Sequence, residues 1–185
     1  NIVSMTDSLM REIPIFEDPD SFRTVSYLPL CHVAEQLLTN FIQMATGGQV
    51  YFCPDLTQVK DYLTEVHPTN FAAVPRVWEK FQAALEANLS AATGIKGKLA
   101  AWARKTELAA IQEEVRTGRP VDTFSRRLAN KLVISKVKEA LGLDQLKFAG
   151  TAAAPISTGT LEFFASLGIL IHEAYGMSET TGLVT

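Results

Sequence analysis

Two hydrophobic periods alternate along this chain. Apolar runs of strand length occur at "TVSYLPL" (24–30), "QVYFC" (49–53), "NFAAVP" (70–75), "LKFAG" (146–150) and "LGILIHEAYG" (167–176). The segments between them return an apolar residue every three or four positions, the spacing of a helix with one buried face. "HVAEQLLTNFIQMATGG" (32–48) reads as a helix stopped by paired glycines. "DLTQVKDYLTEVH" (55–67) reads as a helix with Asp55 as N-cap and Leu56, Val59, Leu63 and Val66 on one face. From Pro75 to about Leu141 the pattern is helical, broken at "ATGIKG" (92–97) and "TGRPVD" (117–122), and "PISTGTLEFFASLG" (155–168) adds one more helix. Strands alternating with helices imply parallel pairing. The predicted fold is α/β: a layered, parallel-type sheet flanked by helices, with a long helical insertion across its middle.

Composition narrows the function. The 185 residues are 47% hydrophobic and 20% charged, with a net charge of -3, which is ordinary for a soluble globular domain. With no basic cluster, nucleic acid is not an expected partner. No apolar run has the ~18 to 20 residues needed to span a bilayer, and "NIVSMTDSLMREI" has no leader pattern. The expectation is a cytoplasmic protein, with peripheral membrane contact through a larger parent left open. Cys31 and Cys53 lack metal or disulfide spacing and are read as reduced thiols. The chain opens on Asn1 rather than methionine and closes on Thr185, so it is expected to be an excised piece.

Ligands of open α/β sheets sit beyond the carboxyl ends of the strands, so the loops after strands carry the candidate chemistry. Three stand out. In "GTAAAP" (150–155) nothing is larger than threonine or proline, which lets a flat ligand lie against the backbone near a helix start; a tight packed connection explains the same residues. In "LPLCHVAEQ" (28–36) His32 could gate a pocket, but on the residues alone it is read as a half-buried histidine capping the helix, with Glu35 and Gln36 on a solvated face. In "EAYGMSETTG" (173–182) an aromatic ring, a glycine, the hydroxyls of Ser178, Thr180 and Thr181 and the carboxylate of Glu179 follow a strand. An aromatic stacks on a base, hydroxyls bond phosphate oxygens, and Mg²⁺ needs few protein ligands because it keeps its waters.

These motifs resemble the adenylate-forming superfamily of acyl-CoA synthetases, luciferases and peptide-synthetase adenylation domains. "YGMSETTG" is similar to its adenine-and-magnesium motif, "GTAAAPIS" to its small-residue adenine loop, and "SYLPLCHVAEQ" to its upstream Leu-Pro-x-x-His motif. "FAAVPRVWEKF", with Arg76 inside it, and the helical middle (76–141) resemble long-chain fatty acyl-CoA synthetases, with wording nearest their bubblegum-type branch. The adenine loop departs from the commoner Gly-Gly-Ala-Pro wording.

The resemblance implies that Tyr175 stacks on adenine, that Gly150, Thr151, Ala152, Ala153 and Ala154 form the wall against base and acyl carbonyl, and that Glu173 and Ala174 lie at the edge of the base. Gly176 and Met177 complete the nucleotide-binding turn. Ser178 keeps a hydroxyl for the α-phosphate where threonine is usual, Glu179 ligates Mg²⁺, and His32 borders the passage for acyl chain and pantetheine. The implied activity is long-chain fatty acid–CoA ligation, with fatty acid, ATP and coenzyme A as partners. Alternatives are activation of an aromatic or amino acid, and a non-catalytic nucleotide- or acyl-binding module. The resemblance also implies that residues 1–185 are part of an AMP-binding domain. Its phosphate loop would precede residue 1 and its C-terminal domain would follow residue 185, so the piece alone is expected to be inactive.

Overall fold

The structure is a computed structural model that describes residues 2–12, 22–91 and 93–184. Asn1, Thr185 and Ala92 in the predicted helix break lie outside the described residues. Helix α1 spans Ile2–Glu12, and strand β1 spans Arg23–Ser26. Helix α2 (Val33–Glu35) runs through a π-helical turn (Gln36–Phe41) into α3 (Ile42–Thr46). Strand β2 (Gln49–Phe52), a 3₁₀ turn (Leu56–Gln58), α4 (Val59–Val66) and β3 (Asn70–Ala73) follow. Next come the helices α5 (Pro75–Ala91), α6 (Gly94–Thr117), α7 (Phe124–Ala129) and α8 (Ser135–Ala140), the last two joined by a π-helical turn (Asn130–Ile134). The chain then forms β4 (Phe148–Thr151), α9 (Thr158–Ala165), β5 (Ile171–Glu173) and a hairpin of β6 (Gly176–Met177) and β7 (Gly182–Leu183).

The main sheet has the order β2-β1-β3-β4-β5. Strand β1 lies parallel to both neighbours, with Thr24 opposite Val50 on one side and Asn70 on the other. The chain therefore leaves β1 to one edge and returns on its other side, which puts a topological switch point between β1 and β3. The α/β expectation holds, as does the helical stretch from Pro75, which ends at Ala140. The strand predicted at 24–30 is shorter, because the chain turns at Pro29, whose carbonyl accepts from His32 N–H at 2.9 Å. Asp55 caps its helix as predicted, its Oδ1 accepting from Thr57 N–H at 2.8 Å. Val59 and Leu63 are buried but Leu56 is exposed, because the first turn is a tight 3₁₀ turn that rotates it off the face.

Two elements were not foreseen. Helix α1 carries Ile2, Val3, Met5, Leu9 and Met10 among its residues; Leu9 is buried with Phe22, Leu37 and Ile42, and Met5 and Met10 pack on the same cluster. The β6–β7 hairpin has strands of two residues, too short to show a period.

Contacts divide the chain into two compact units: residues 1–72, 141–153 and 172–185, and residues 73–140 and 154–171. The first holds the sheet apart from the end residues Ala73 and Ile171, with Val25, Leu63, Phe71 and Ala149 among its buried residues. The second is helical. Trp78 is fully buried and meets Phe164 edge-on at 4.9 Å between ring centres, and Arg104 lies 4.6 Å over the Phe163 ring. Among the described residues no helix is long and apolar enough to cross a membrane.

Candidate active site

The first unit brings three loops together at the carboxyl ends of its strands. After β4 the chain continues through Ala152 and Ala153, and Ala174 N–H, just after β5, donates to Thr151 carbonyl oxygen at 2.9 Å. The small-residue loop and the start of "AYGMSETTG" are thereby fastened side by side. The hairpin closes with Val184 N–H donating to Tyr175 carbonyl oxygen at 2.7 Å. Its turn is a single 3₁₀ turn, Ser178–Thr180, ended by Thr181 in the left-handed conformation at φ 68°.

The hairpin also meets the third motif. A side chain on Gly182, whose φ is 126°, would place its Cβ 3.1 Å from Leu37 Cδ2, so the backbone of β7 lies against the π-helical turn. That turn directly extends the helix that His32 begins. His32 is the N-cap, with extended backbone and Nδ1 accepting weakly from Ala34 N–H at 3.4 Å. The capping role read from the residues is therefore present. That bond engages Nδ1, and the residue as a whole is exposed rather than half-buried.

The side chains divide into those already engaged and those left open. Tyr175 is 61% exposed. Ser178 and Glu179 are exposed, and neither side chain is hydrogen-bonded among the described residues. Thr180 differs: its hydroxyl lies 2.9 Å from Met177 carbonyl oxygen and 3.1 Å from that of Gly182, so it holds the turn together. Glu173, Gly176 and Met177 are exposed, and Ala174 is half-buried. In the loop, Gly150 is buried beside the Phe148 ring, where a Cβ would lie 3.1 Å from that ring. Thr151 is buried with its hydroxyl oxygen lacking a partner among the described residues. Ala152 is half-buried and Ala153 exposed, the latter held at φ 73°. Ala154 is exposed and belongs to the second unit.

Two neighbours were missed by the sequence reading. Glu35, read as solvated, is 4% exposed and accepts hydrogen bonds from Ser26 Oγ at 2.5 Å and Thr39 Oγ1 at 2.9 Å. His172 stacks on Phe148 at 5.2 Å between ring centres and 10° between planes. The residues around Glu35 did not mark its burial, because a π-helical turn shifts the register of the helix that follows it. The shift itself leaves no mark in the residues. Cys31 is exposed and Cys53 buried, and both are free thiols.

The donor set suits a nucleotide and its metal. An exposed ring, a loop of small residues with an unpaired buried hydroxyl, and an unengaged serine–glutamate pair offer a base platform, a close backbone approach and oxygen ligands. Among the described residues no group of three His, Cys, Asp or Glu side chains gathers for a metal, so a cation here would rely on Glu179 together with phosphate oxygens and water.

The AMP-binding enzyme family matches residues 1–185. The chain belongs to that family. It is 44% identical over 161 residues to a long-chain-fatty-acid–CoA ligase, ACSBG2, of Xenopus laevis, covering 85% of this chain and 22% of that protein. It is 37% identical to the protein of the same name from Homo sapiens, covering 90% and 26%. It is also 37% identical to a putative fatty-acid–CoA ligase, fadD11, of Mycobacterium tuberculosis strain H37Rv, covering 88% and 29%. The chain thus spans less than a third of each of these relatives. Among solved structures, the adenylation domain of a keto acid-selecting NRPS module bound to keto acyl adenylate superposes with a TM-score of 0.60 at 13% identity, covering 99% of this chain and 27% of that one. Apo MatB from Rhodopseudomonas palustris does so with a TM-score of 0.58 at 15% identity, covering 98% and 26%. These two structures share the fold of this AMP-binding chain.

Proposed function

We propose that the protein carrying this chain is a long-chain fatty acid–CoA ligase. The observation that carries the reading is the hairpin fastened beside the β4 loop, which leaves Tyr175, Ser178 and Glu179 unengaged next to Thr151 in a family of AMP-binding enzymes. The relatives named fatty-acid–CoA ligases support the choice of acid. In the first step a fatty carboxylate oxygen bonds to the α-phosphorus of ATP as the bond to pyrophosphate breaks. In the second, the thiol of coenzyme A adds to the acyl carbonyl, AMP leaves, and the thiol proton passes to solvent.

The substrate supplies its own nucleophile, so the chain's work is to position groups and to balance charge. Tyr175 holds the base by stacking. Gly150, Thr151, Ala152 and Ala153 bring backbone close to the base and acyl carbonyl, and Ser178 offers its hydroxyl to the α-phosphate. Glu179 would hold Mg²⁺, which supplies Lewis-acid neutralisation of phosphate charge. His32 borders the path of acyl chain and pantetheine. The second unit's Ala154 and Arg76 receive no role in these steps.

A pyrophosphate-release panel of fatty, aromatic and amino acids, run on the full-length protein, tests the reading. Palmitate is expected to lead the panel and to yield palmitoyl-CoA when coenzyme A is added. Glu179→Ala should lower the rate at least ~100-fold. A panel led by an amino or aromatic acid would replace the fatty acid, and nucleotide binding without pyrophosphate release would leave a binding module.

A further inference from the structure

Glu35 and Glu107 are both buried, at 4% and 5% exposed, and they are compensated differently. Glu107 is matched by the Arg126 guanidinium at 2.8 Å. Glu35 makes no ion pair among the described residues; two hydroxyls, Ser26 Oγ and Thr39 Oγ1, converge on its Oε1. Burying a carboxyl group against neutral donors alone is costly, and an alanine here would avoid that cost.

The placement explains what the cost maintains. Ser26 is the last residue of β1, and its carbonyl oxygen accepts from Cys53 N–H at 2.7 Å, so that end of the strand is held by its neighbour in the sheet. Glu35 ends α2, three residues after the cap His32. The Ser26–Glu35 bond therefore spans a separation of nine residues and closes at its base the loop that carries His32. On the far side, Thr39 lies in the π-helical turn, where Ile42 N–H donates to Leu37 carbonyl oxygen, and Leu37 is the residue against which Gly182 of the hairpin lies. One carboxyl oxygen thus ties together the end of β1, the helix begun by His32 and the turn supporting the hairpin.

We propose that Glu35 is a positioning residue that holds His32 at the acyl and pantetheine passage. This rests on the ligase reading above. Glu35 acts through the geometry of His32 and touches no substrate.

The test uses the full-length protein and follows two products, pyrophosphate and acyl-CoA, from one fatty acid. Glu35→Ala is expected to lower the ratio of acyl-CoA formed to pyrophosphate released about 10-fold and to raise KM for coenzyme A, because a displaced side chain slows the step it serves. Glu35→Gln should restore the ratio to within about threefold, since an amide oxygen accepts from the same two hydroxyls. In a His32→Ala background Glu35→Ala should lower the ratio no further, the non-additivity of two residues acting as one. Ser26→Ala removes only the loop-closing donor and should reproduce part of the loss, which keeps the test open if Glu35→Ala does not fold.

An unchanged ratio in Glu35→Ala and Ser26→Ala, failure of Glu35→Gln to restore it, or losses that add to those of His32→Ala would each overturn the assignment while leaving the ligase reading in place. If the unsubstituted protein made no acyl-CoA from any acid, the ligase reading would fall and this assignment with it.

Discussion

Ala153 holds a left-handed backbone, φ 73°, that costs an L-residue with a Cβ on the order of 1 kcal/mol relative to glycine. The loop around it is short and is fastened at Thr151 to Ala174, so the strain sits beside the candidate nucleotide position. Ala153→Gly is expected to stabilise the protein by about 0.5–1 kcal/mol in urea denaturation, the relief of strain exceeding glycine's larger unfolded-state entropy. A loss of stability would mean that the loop does not hold this conformation. The departure from the commoner Gly-Gly-Ala-Pro wording thus has a physical consequence, since an alanine occupies a position whose backbone favours glycine. At the same scale, Ser178, Glu179 and Tyr175 were legible because their chemistry is carried by residue type and local order. Glu35 was not, because its surroundings come from Ser26, nine residues away, and from a π turn.

Among the elements, α6 shows most plainly what a hydrophobic pattern hides. Its buried residues, Ala103, Glu107, Ala110 and Ile111, form one stripe at helical spacing, and a glutamate stands in the middle of it. The compensation comes from α7. Arg126 donates through Nε and NH2 to Glu107, and through NH1 to Glu114 at 2.5 Å and to Val121 carbonyl oxygen at 2.7 Å. The guanidinium also holds the Glu114 carboxyl below the usual carboxylate range, chiefly through that hydrogen bond, and its own affinity for a proton is raised by the bond to Glu107. Arg126→Ala leaves Glu107 buried without a counter-charge and should destabilise the protein by about 3 kcal/mol, read as a shift of the urea midpoint. The double change Arg126→Met and Glu107→Leu should recover most of that loss, since apolar groups of similar volume replace a buried ion pair at little cost, while the partly exposed Glu114 keeps its bond from Val121 N–H. If Arg126→Ala proved neutral, the clamp would not be holding α7 on α6. The helices themselves were readable from period and glycine punctuation, with Gly118 ending α6 at φ 65°. Their mutual attachment through a charged triad was not.

For the whole molecule, acid is the condition that should reveal the long-range ties. His67, left-handed at φ 48°, pairs through Nδ1 with Asp144, and its carbonyl oxygen accepts from Arg23 Nε at 3.0 Å and NH2 at 2.6 Å. The end of α4, the start of β1 and the turn before β4 are joined in this way. Burial pushes the Asp144 carboxyl up, but hydrogen bonds from His67 and Gln145 outweigh it, and the group ends below its ordinary value of 3.8. A carboxyl depressed in the folded state stabilises fully above its unfolded value and loses that contribution as pH falls through the folded one. Stability is therefore expected to decline below about pH 4, with Asp144→Asn flattening that decline while lowering stability at neutral pH. An identical acid profile in the variant would remove Asp144 from the account. The sequence by itself determined the α/β alternation, the helical middle and the small-residue and hydroxyl motifs behind their strands, because backbone period, turn chemistry and side-chain type are local properties. Only the tertiary structure decided that Thr180 holds a turn while Ser178 and Glu179 stay open, that Glu35 is buried against Ser26 and Thr39, and that Leu37 lies against Gly182. The burial of Glu35 and the approach of Leu37 to Gly182 depend on where the fold packs segments separated along the chain, and the Thr180 bonds depend on closure of the β6–β7 hairpin.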